Sequence, residues 1–546
     1  MKRNFSLFLL ALALLCLSAP AGATVIYVSG DQTGTWSADT VIVTAEVRVP
    51  PGESLTISPG VEVLFQVYCK LIVDSAATLL AVGTEVDSIR FDVLPHNTTW
   101  HGIRFLYASD SSRLEYCHLR RGLATGSGED DKGGAVYCSS SSPYISNNAL
   151  SGNSAGEGGG GIYCYNSSPS ICSNSISGNF ALFGGGIYCD NSSGSIIGNT
   201  ISGNWAPYAG GGIYCINSSP SISGNTISEN SVSDNYELPA FGGGIYCDHS
   251  SPTISNNTIS ENTVSGGYMG EADGGGICCG NISHPDIIGN TISGNQAFFG
   301  GAIYCTGNSN PDIIGNTICE NVAAMLGGGI QCGISDPTVV NCILWGNSPQ
   351  QIYGSPLVNY SDIQDTLWPG VGNISTDPLF VDAANGDYHV QSTVGSFHGG
   401  LWTPDPLHSP CIDAGDPSSP FANEPLPNGG RINMGFEGNT TEASLSAPAW
   451  APPPIADLPR EFCLYSPHPN PFNATTVIIC QLPVASYISL EIFDISGRKL
   501  VELASGFHLP GEYRYVWDAS GRAAGMYFVR LRAGETRIIE KVVMLK

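Results

Sequence analysis

Apolar and polar residues alternate in short segments along most of the chain, and Gly, Asn, Ser and Pro bound these segments. Residues 195–204 (SIIGNTISGN) and 312–321 (DIIGNTICEN) show this two-residue period. Because successive side chains of a strand point to opposite faces, the period predicts short strands. In the segment Ile187-Tyr188-Cys189, we therefore expect Ile and Cys on one face and Tyr on the other.

A glycine-rich hexapeptide recurs eight times between residues 133 and 332, as GGAVYC, GGGIYC, GGGICC, GGAIYC or GGGIQC. Each copy ends in a cysteine: Cys138, Cys164, Cys189, Cys215, Cys247, Cys279, Cys305 and Cys332. A regular period with two or three short strands per copy predicts coils that stack as parallel sheets. The Gly triplets are expected to form turns that a Cβ atom would not permit.

Equal positions in stacked coils are expected to form columns. We expect Asn side chains to hydrogen-bond along the stack and to favour the left-handed turn conformation. One Asn column comprises Asn148, Asn174, Asn199, Asn225, Asn257, Asn290, Asn316 and Asn341, and the other comprises Asn153, Asn179, Asn204, Asn230, Asn262, Asn295, Asn321 and Asn347. The eight cysteines that close the hexapeptides are predicted to form an interior row of thiols.

A tyrosine column accompanies the Asn and Cys columns. Its members are Tyr137, Tyr163, Tyr188, Tyr214, Tyr246 and Tyr304. Two interpretations stay open for these rings: contact with an extended glycan, or aromatic stacking along the sheet.

These patterns resemble right-handed parallel β-helix proteins of the pectin-lyase-like fold. The hexapeptide followed by Ile201-Ser202-Gly203-Asn204 is also similar to the GGAI and FxxN repeats of polymorphic outer-membrane adhesins, with Ile in place of Phe. The resemblance covers about residues 25–437, which include the clearest repeats at 133–347. It implies a β-helix domain over residues 24–437 and no particular activity, because one fold hosts many activities.

The charge pattern changes near the C-terminus. Residues 133–430 contain no Lys or Arg against 22 acidic residues, whereas residues 461–546 contain nine basic and eight acidic residues. The Pro- and Ala-rich residues 438–461 are predicted to be a linker. The alternating, Gly-punctuated segments of residues 462–546 are typical of a small antiparallel β-sandwich. The predicted fold class is thus all-β, a parallel β-helix followed by a small immunoglobulin-like β-sandwich.

Several motifs in the C-terminal module resemble the sorting domain of type IX secretion substrates. They are NPFN (470–473), IFDISGRKL (492–500) and KVVMLK (541–546). The resemblance implies export across a bacterial outer membrane, attachment at the cell surface, and the type IX machinery as a partner. An ordinary immunoglobulin-like module is the alternative interpretation.

The N-terminus and the overall charge agree with export. Residues 1–23 combine Lys2-Arg3, an apolar stretch and Ala21-Gly22-Ala23, which is typical of a secretory signal peptide. No segment has the roughly 18 uninterrupted apolar residues of a membrane span. The formal charge of −26, from 21 Lys and Arg against 47 Asp and Glu, argues against nucleic acid as a partner.

Two enlarged loops, 231–241 and 263–273, are the candidate ligand site, because insertions in solenoids cluster on a binding face. Tyrosines there are predicted to stack on sugar rings while carboxylates hydrogen-bond or hold a cation. The candidate residues are Asp234, Tyr236, Glu237, Tyr268, Glu271 and Asp273. The alternative is neutral loop drift inherited by duplication.

Catalytic residues cannot be assigned from the sequence. Carboxylate pairs at equal repeat positions are Asp286 with Asp312 and Glu229 with Glu261, and lone turn histidines are His249 and His284. Repetition by itself creates such pairs, so neither a catalytic nor a metal site is predicted. No cofactor is expected, and Ca²⁺ is the one ion left open.

The sequence favours a secreted, surface-displayed scaffold that binds polysaccharide or a neighbouring surface. A carbohydrate-active enzyme acting through residues 231–273 is the alternative. A passive surface component without a specific ligand is a third interpretation.

Overall fold

A computed structural model describes residues 23–95, 99–233, 239–266, 272–365, 367–447, 461–484, 486–508, 511–534 and 536–545. The described residues form two compact units. Unit 1 comprises residues 23–312, 320–337 and 347–355, and unit 2 comprises residues 313–319, 338–346 and 356–545. The predicted signal peptide and much of the predicted linker lie outside the described residues.

Unit 1 is a stack of coils in which equal strands of successive coils pair in parallel. In a typical coil, sheet 1 takes the Ile-Tyr-Cys strand, sheet 2 the next strand, sheet 3 the Thr-Ile-Ser strand and sheet 4 a short strand before the Gly triplet. The register is residue on residue, for example Tyr188 opposite Tyr214 and Cys189 opposite Cys215. The predicted stack of parallel strands is therefore confirmed.

The strand bounds in unit 1 follow the repeat. Sheet 1 contains Leu71–Val73, Ile103–Leu106, Val136–Ser139, Ile162–Tyr165, Ile187–Asp190, Ile213–Ile216, Ile245–Asp248, Ile277–Gly280, Ile303–Cys305, Ile330–Cys332 and Ile352–Tyr353. Sheet 2 contains Gly34–Trp36, Ser54–Ile57, Thr78–Val82, Arg113–Glu115, Tyr144–Ser146, Ser170–Cys172, Ser195–Ile197, Ser221–Ser223, Thr253–Ser255 and Asp286–Ile288. Sheet 3 contains Glu62–Phe65, Ile89–Val93, Cys117–Arg120, Ala149–Ser151, Ser175–Ser177, Thr200–Ser202, Thr226–Ser228, Thr258–Ser260 and Thr291–Ser293.

The remaining strands of unit 1 lie at its N-terminal end and in sheet 4. Val25–Asp31 pairs with the long strand Thr40–Val49, which pairs in turn with the first strands of sheets 1 and 3. Sheet 4 strands are Leu123–Ala124, Ser154–Ala155, Trp205–Ala206, Ser231–Ser233, Ala240–Phe241, Thr263–Ser265, Ala272–Asp273, Gln296–Phe299 and Val322–Leu326. A 3-10 helix spans Gly128–Asp131, and the described residues contain no α-helix.

The coil interior is filled by the apolar side chains that the two-residue period placed on one face. Ile187, Ile196 and Ile201, which come from the three strands of one coil, are at most 1 % exposed. The eight repeat cysteines are likewise buried, and all are thiols in the structure. This arrangement confirms that the repeat cysteines form a row in the interior.

The Asn columns form hydrogen-bonded ladders inside the turns. In the second column, the side-chain amide of each Asn donates to the Oδ1 of the next coil's Asn over 2.9–3.0 Å. The left-handed conformation belongs to the preceding residue, such as Gly203 (φ 61°) or Glu229 (φ 56°), and not to the ladder Asn. The expected ladder is confirmed, but the expected left-handed conformation of its Asn residues is wrong.

Unit 2 includes further repeat strands and the irregular segment that follows them. The strands are Thr317–Cys319, Thr338–Val340, Ile343–Trp345, Leu357–Asn359, Asp362–Ile363, Phe380–Asp382, Asp387–Val390, Ser396–His398 and Leu401–Thr403, with a 3-10 helix at Ala383–Asn385. The strand Asp312–Ile314 spans the boundary between the units. The buried residues 443–446 extend the folded part of unit 2 beyond the predicted start of the linker at residue 438.

Asn341 does not belong to the Asn ladder. It adopts the left-handed conformation (φ 57°), and the backbone N–H of Asn316 donates instead to the Sγ of Cys342 over 3.3 Å. The repeat pattern predicts Asn341 as a member of the ladder, and this prediction is wrong. The turn geometry aligns it with Gly315, which also has positive φ.

Residues 461–545 form two antiparallel sheets around a core of their own. One sheet contains Cys463–Leu464, Thr475–Leu482 and Gly511–Asp518, and the other contains Ser486–Asp494, Lys499–His508, Gly525–Ala533 and Thr536–Met544. The core includes Phe472, Trp517 and Leu531, each at most 3 % exposed. The predicted all-β fold class is therefore confirmed.

Candidate functional site

Most of the predicted ligand residues lie outside the described part of the chain. These are Asp234, Tyr236, Glu237, Tyr268 and Glu271, in the two enlarged loops.

Asp273 is described and is only 4 % exposed. Its carboxylate accepts a hydrogen bond from the Tyr304 hydroxyl and lies near the thiol of Cys278. Asp273 therefore offers little exposed surface to a ligand.

The tyrosine column is covered rather than exposed. Five of its rings, all except Tyr304, are 0–7 % exposed, and consecutive ring centroids lie 4.6–5.6 Å apart from Tyr137 to Tyr246. Phe183 and Phe241, from segments just before Gly triplets, pack against Tyr214 and Tyr246. Of the two interpretations, the described contacts favour aromatic stacking.

The hydroxyl groups of the tyrosine column have carboxylate partners at the ends of the sheet 1 strands. Tyr163 donates to Asp190 over 3.2 Å, and Tyr214 donates to Asp248 over 3.1 Å. Burial, strengthened by these carboxylates, raises the pKa of both tyrosines well above the ordinary value. Both hydroxyls therefore stay protonated and act as fixed donors.

Sheet 4 presents a pair of stacked aromatic rings, one half-buried and one exposed, that the sequence analysis missed. Phe180 and Trp205 occupy equal positions on neighbouring coils, with ring centroids 4.7 Å apart. Trp205 is 42 % exposed, and its indole N–H donates to the Ser233 hydroxyl over 2.7 Å. We call this pair the aromatic platform. Its sequence signal is an aromatic residue directly after Asn179 and Asn204, where most other coils have a small or polar residue.

Hydroxyl groups continue the row on both sides of the aromatic platform. Ser154 pairs with Phe180 on one side, and Ser231 pairs with Trp205 on the other, followed by Thr263. These side chains point outward because Ala206, Val232 and Val264, at the alternate positions, fill the interior. The result is a surface of flat apolar rings flanked by hydrogen-bonding groups.

A second cluster missed by sequence lies at the N-terminal end of the tyrosine column. Arg104 occupies the position equivalent to Tyr137, is 2 % exposed, and donates to the backbone carbonyls of residues 132 and 133. Lys70 pairs with Asp130, whose carboxylate lies 3.9 Å from the His101 imidazole. These contacts fasten the segment 128–133 to the coil.

Burial lowers the pKa values of both His101 and Arg104, but the two side chains differ in charge at neutral pH. Burial, together with the charges of Arg104 and Lys70, lowers the pKa of His101 to about 4, so the imidazole is neutral. Burial also lowers the pKa of Arg104 to about 10, which leaves the guanidinium charged. The cluster therefore holds one buried cation that is satisfied mainly by carbonyl groups.

The other residues singled out by sequence do not assemble into a catalytic group. Asp286, Asp312, Glu229 and Glu261 are exposed, and each occupies a strand start or a left-handed turn position. The described residues contain no group of three or more His, Cys, Asp or Glu side chains arranged to hold a metal ion. His249 contacts Asp248, the residue before it.

Unit 2 holds three buried carboxyl groups, Asp362, Glu424 and Glu437, that the sequence analysis did not single out. Glu437 accepts hydrogen bonds from Ser444 (3.1 Å) and Asn433 (3.4 Å), and Glu424 accepts from the Asn433 backbone (2.9 Å). Burial raises the pKa of Asp362 to about 6, of Glu424 to about 7 and of Glu437 to about 8. The protonation states of these carboxyl groups therefore change between about pH 6 and pH 8.

Comparison with protein families finds a match for each of the two parts of the chain. The family described as right handed beta helix region matches residues 93–259 and 185–364, and the secretion system C-terminal sorting domain matches residues 466–545. No curated protein and no solved structure matches the chain. No helix among the described residues is both long enough and apolar enough to cross a membrane. The chain is therefore a secreted or cell-surface bacterial protein that joins a right-handed parallel β-helix to a type IX C-terminal sorting domain.

Proposed function

We propose that the protein is a surface-displayed scaffold that binds neutral polysaccharide through sheet 4. The observation that carries the proposal is the aromatic platform, in which the exposed Trp205 lies beside the half-buried Phe180, whereas five of the six rings of the tyrosine column are buried. Flat rings flanked by hydroxyl groups suit a sugar, which has apolar ring faces and polar edges.

Charge supports a neutral rather than an acidic glycan. The repeats carry no Lys or Arg between residues 133 and 430, against 22 acidic residues. A polyanionic ligand would be repelled unless a divalent cation bridged it to the protein. Binding of a neutral glycan requires no such cation.

The enlarged loops follow directly in sequence from strands of the proposed face. The strand Ser231–Ser233 runs from beside Trp205 directly into the segment that contains Asp234, Tyr236 and Glu237. The strand Thr263–Ser265, its neighbour in sheet 4, leads towards Tyr268 and Glu271. We propose that these loop residues, which lie outside the described part of the chain, also contact the glycan.

The proposal is tested by retention of the full chain on a panel of immobilised neutral and acidic polysaccharides. We expect Trp205→Ala to weaken retention on the bound glycan about tenfold, or about 1.4 kcal/mol. Tyr107→Ala is the matched control, because Tyr107 is 65 % exposed but lies outside sheet 4. Equal losses in both variants, or none with Trp205→Ala, would contradict the proposed face.

The same panel distinguishes the other functions. Release of new reducing ends or unsaturated uronates would favour the enzyme interpretation, and its loss with changes at Glu237 or Glu271 would locate the activity on the loops. Parallel runs with Ca²⁺ and with a chelator test whether an ion contributes. Absence of both product and retention would favour a passive surface role.

A further inference from the structure

The repeat cysteines are aligned residue on residue along sheet 1. Cys138 lies opposite Cys164, Cys189 lies opposite Cys215, and Cys279 lies opposite Cys305 in parallel strands. Neighbouring strands lie about 4.8 Å apart. Cystine bridges need Cα atoms about 4.4–6.8 Å apart, so each in-register pair falls within that range.

Direct contacts between thiols divide the row into groups. The thiol of Cys164 interacts with the thiols of both Cys138 and Cys189, and the thiol of Cys189 also interacts with that of Cys215. A separate contact joins Cys279 to Cys305.

Two repeat cysteines lie at the edges of these groups. Cys247 is in register with Cys215 and Cys279, but its interactions with neighbouring thiols are electrostatic only. Cys332 likewise contacts the carbonyl of Tyr353 rather than another thiol.

We propose that the exported protein carries three disulfides between consecutive coils: Cys138–Cys164, Cys189–Cys215 and Cys279–Cys305. This set joins every cysteine that has a thiol contact and leaves Cys247 and Cys332 reduced. Secreted proteins pass through oxidising compartments, where such bonds form and persist. Each bridge would tie one coil of unit 1 covalently to the next.

The oxidant is a disulfide-bearing thiol oxidoreductase or a small disulfide. The thiolate of one cysteine attacks a sulfur of that disulfide, forms a mixed disulfide and expels one thiolate of the oxidant. The second cysteine of the pair, as thiolate, then attacks the mixed disulfide and expels the other oxidant sulfur. The two protons lost by the protein pass to the two oxidant thiolates, so the pair is oxidised and the oxidant is reduced. Because the folded interior excludes an oxidant, the exchange takes place before the coils close.

The test is disulfide mapping of the full chain exported by its native route and alkylated in denaturant without reductant. Pepsin at acidic pH suits the digestion, since the repeats offer trypsin no site between residues 133 and 430 and disulfides do not exchange in acid. We expect linked peptides that contain the three proposed pairs, and labelled Cys247 and Cys332.

Two variants make the result specific. Cys164→Ser should remove one linked peptide, leave Cys138 labelled and preserve Cys189–Cys215. Cys247→Ser, also buried in the same row, should leave all three linked peptides in place. Full labelling of the repeat cysteines in the exported wild-type chain, or linked peptides of other composition, would overturn the proposal.

Discussion

At the residue scale, one amide per turn satisfies several backbone groups at once. Asn204 is fully buried, and its side-chain N–H groups donate to the Ile176 carbonyl and to Asn230, each over 2.9 Å. Its Oδ1 accepts from the backbone and the side chain of Asn179. A turn in a solenoid interrupts the sheet ladder, so these groups would otherwise be buried without partners.

Replacing Asn204 by Ala is expected to lower the free energy of unfolding by about 2–4 kcal/mol, because it leaves the Ile176 carbonyl and the Asn179 amide without these bonds. Urea denaturation of the wild type and the variant measures the change. Thr226→Ala, at an exposed position of sheet 3, is the control and should stay within about 0.5 kcal/mol. A similar loss in both variants would mean that the ladder adds little beyond general packing.

Buried carboxyl groups make unit 2 sensitive to pH. The pKa of Glu437 is raised from 4.5 to about 8 by burial, so the folded state holds its proton more tightly than the unfolded state. The resulting stability is fully present below about pH 4.5 and is lost as pH rises through about 8. Glu424, with a pKa of about 7, acts in the same direction.

Glu437→Gln is expected to raise the unfolding temperature at about pH 8.5 and to change it little at about pH 5, since the amide imitates the protonated acid. Thermal unfolding at both pH values measures the effect. Glu53→Gln, at an exposed position of unit 1, should not alter the pH dependence. If Glu437→Gln lowers stability equally at both pH values, the carboxyl group contributes through its packing and hydrogen bonds and not through its raised pKa.

At the scale of the element, the Gly triplet has two separate roles. Its first residue, such as Gly210 (φ 63°), adopts the left-handed conformation. Its second and third residues are limited by close packing, because a Cβ on Gly211 would lie 2.6 Å from the Gly243 carbonyl oxygen. The turn itself therefore explains only the first glycine. The second and third glycines are needed because the next coil packs against them.

Gly211→Ala is therefore expected to destabilise unit 1 more than Gly203→Ala does. At Gly203 (φ 61°) a Cβ meets nothing within 4 Å, so only backbone strain of about 1 kcal/mol is added. At Gly211 the added atom forces two backbones apart, and we expect a loss of at least about 3 kcal/mol. Urea denaturation of the two variants gives the comparison, and a larger loss with Gly203→Ala would refute the packing role.

At the scale of the whole molecule, charge and family agree on surface display. The basic residues are concentrated outside the long acidic run from 133 to 430, with nine of them in residues 461–546. The sorting-domain match covers most of that C-terminal segment. The two parts of the chain thus have separate tasks, one in export and one outside the cell.

In a bacterium that has the type IX system, removal of residues 461–546 is expected to keep the protein on the inner side of the outer membrane, so that it does not reach the cell surface. Fractionation and protease treatment of intact cells measure the fraction that reaches the surface, which should fall to background. Truncated protein at wild-type levels on the cell surface would show that the β-helix carries its own export signal.

The sequence by itself predicted the coils, because the two-residue period, the Gly triplets and the repeated Asn residues are local signals that every coil repeats. It also predicted the inward Ile and Cys and the sorting domain. It misaligned Asn341, because adjacent Asn and Cys residues both suit a turn and only the path of the backbone shows which of them meets Asn316.

Only the tertiary structure decided which side chains are covered. The tyrosine column and the aromatic platform consist of the same kind of residue at periodic positions, yet loops pack over the former and leave Trp205 exposed. Likewise, nothing in the local sequence marks Asp362, Glu424 and Glu437 as buried, and folding alone removes them from water and raises their pKa values. Periodicity determines which face of a strand a residue occupies, whereas exposure depends on what the rest of the chain places against that face.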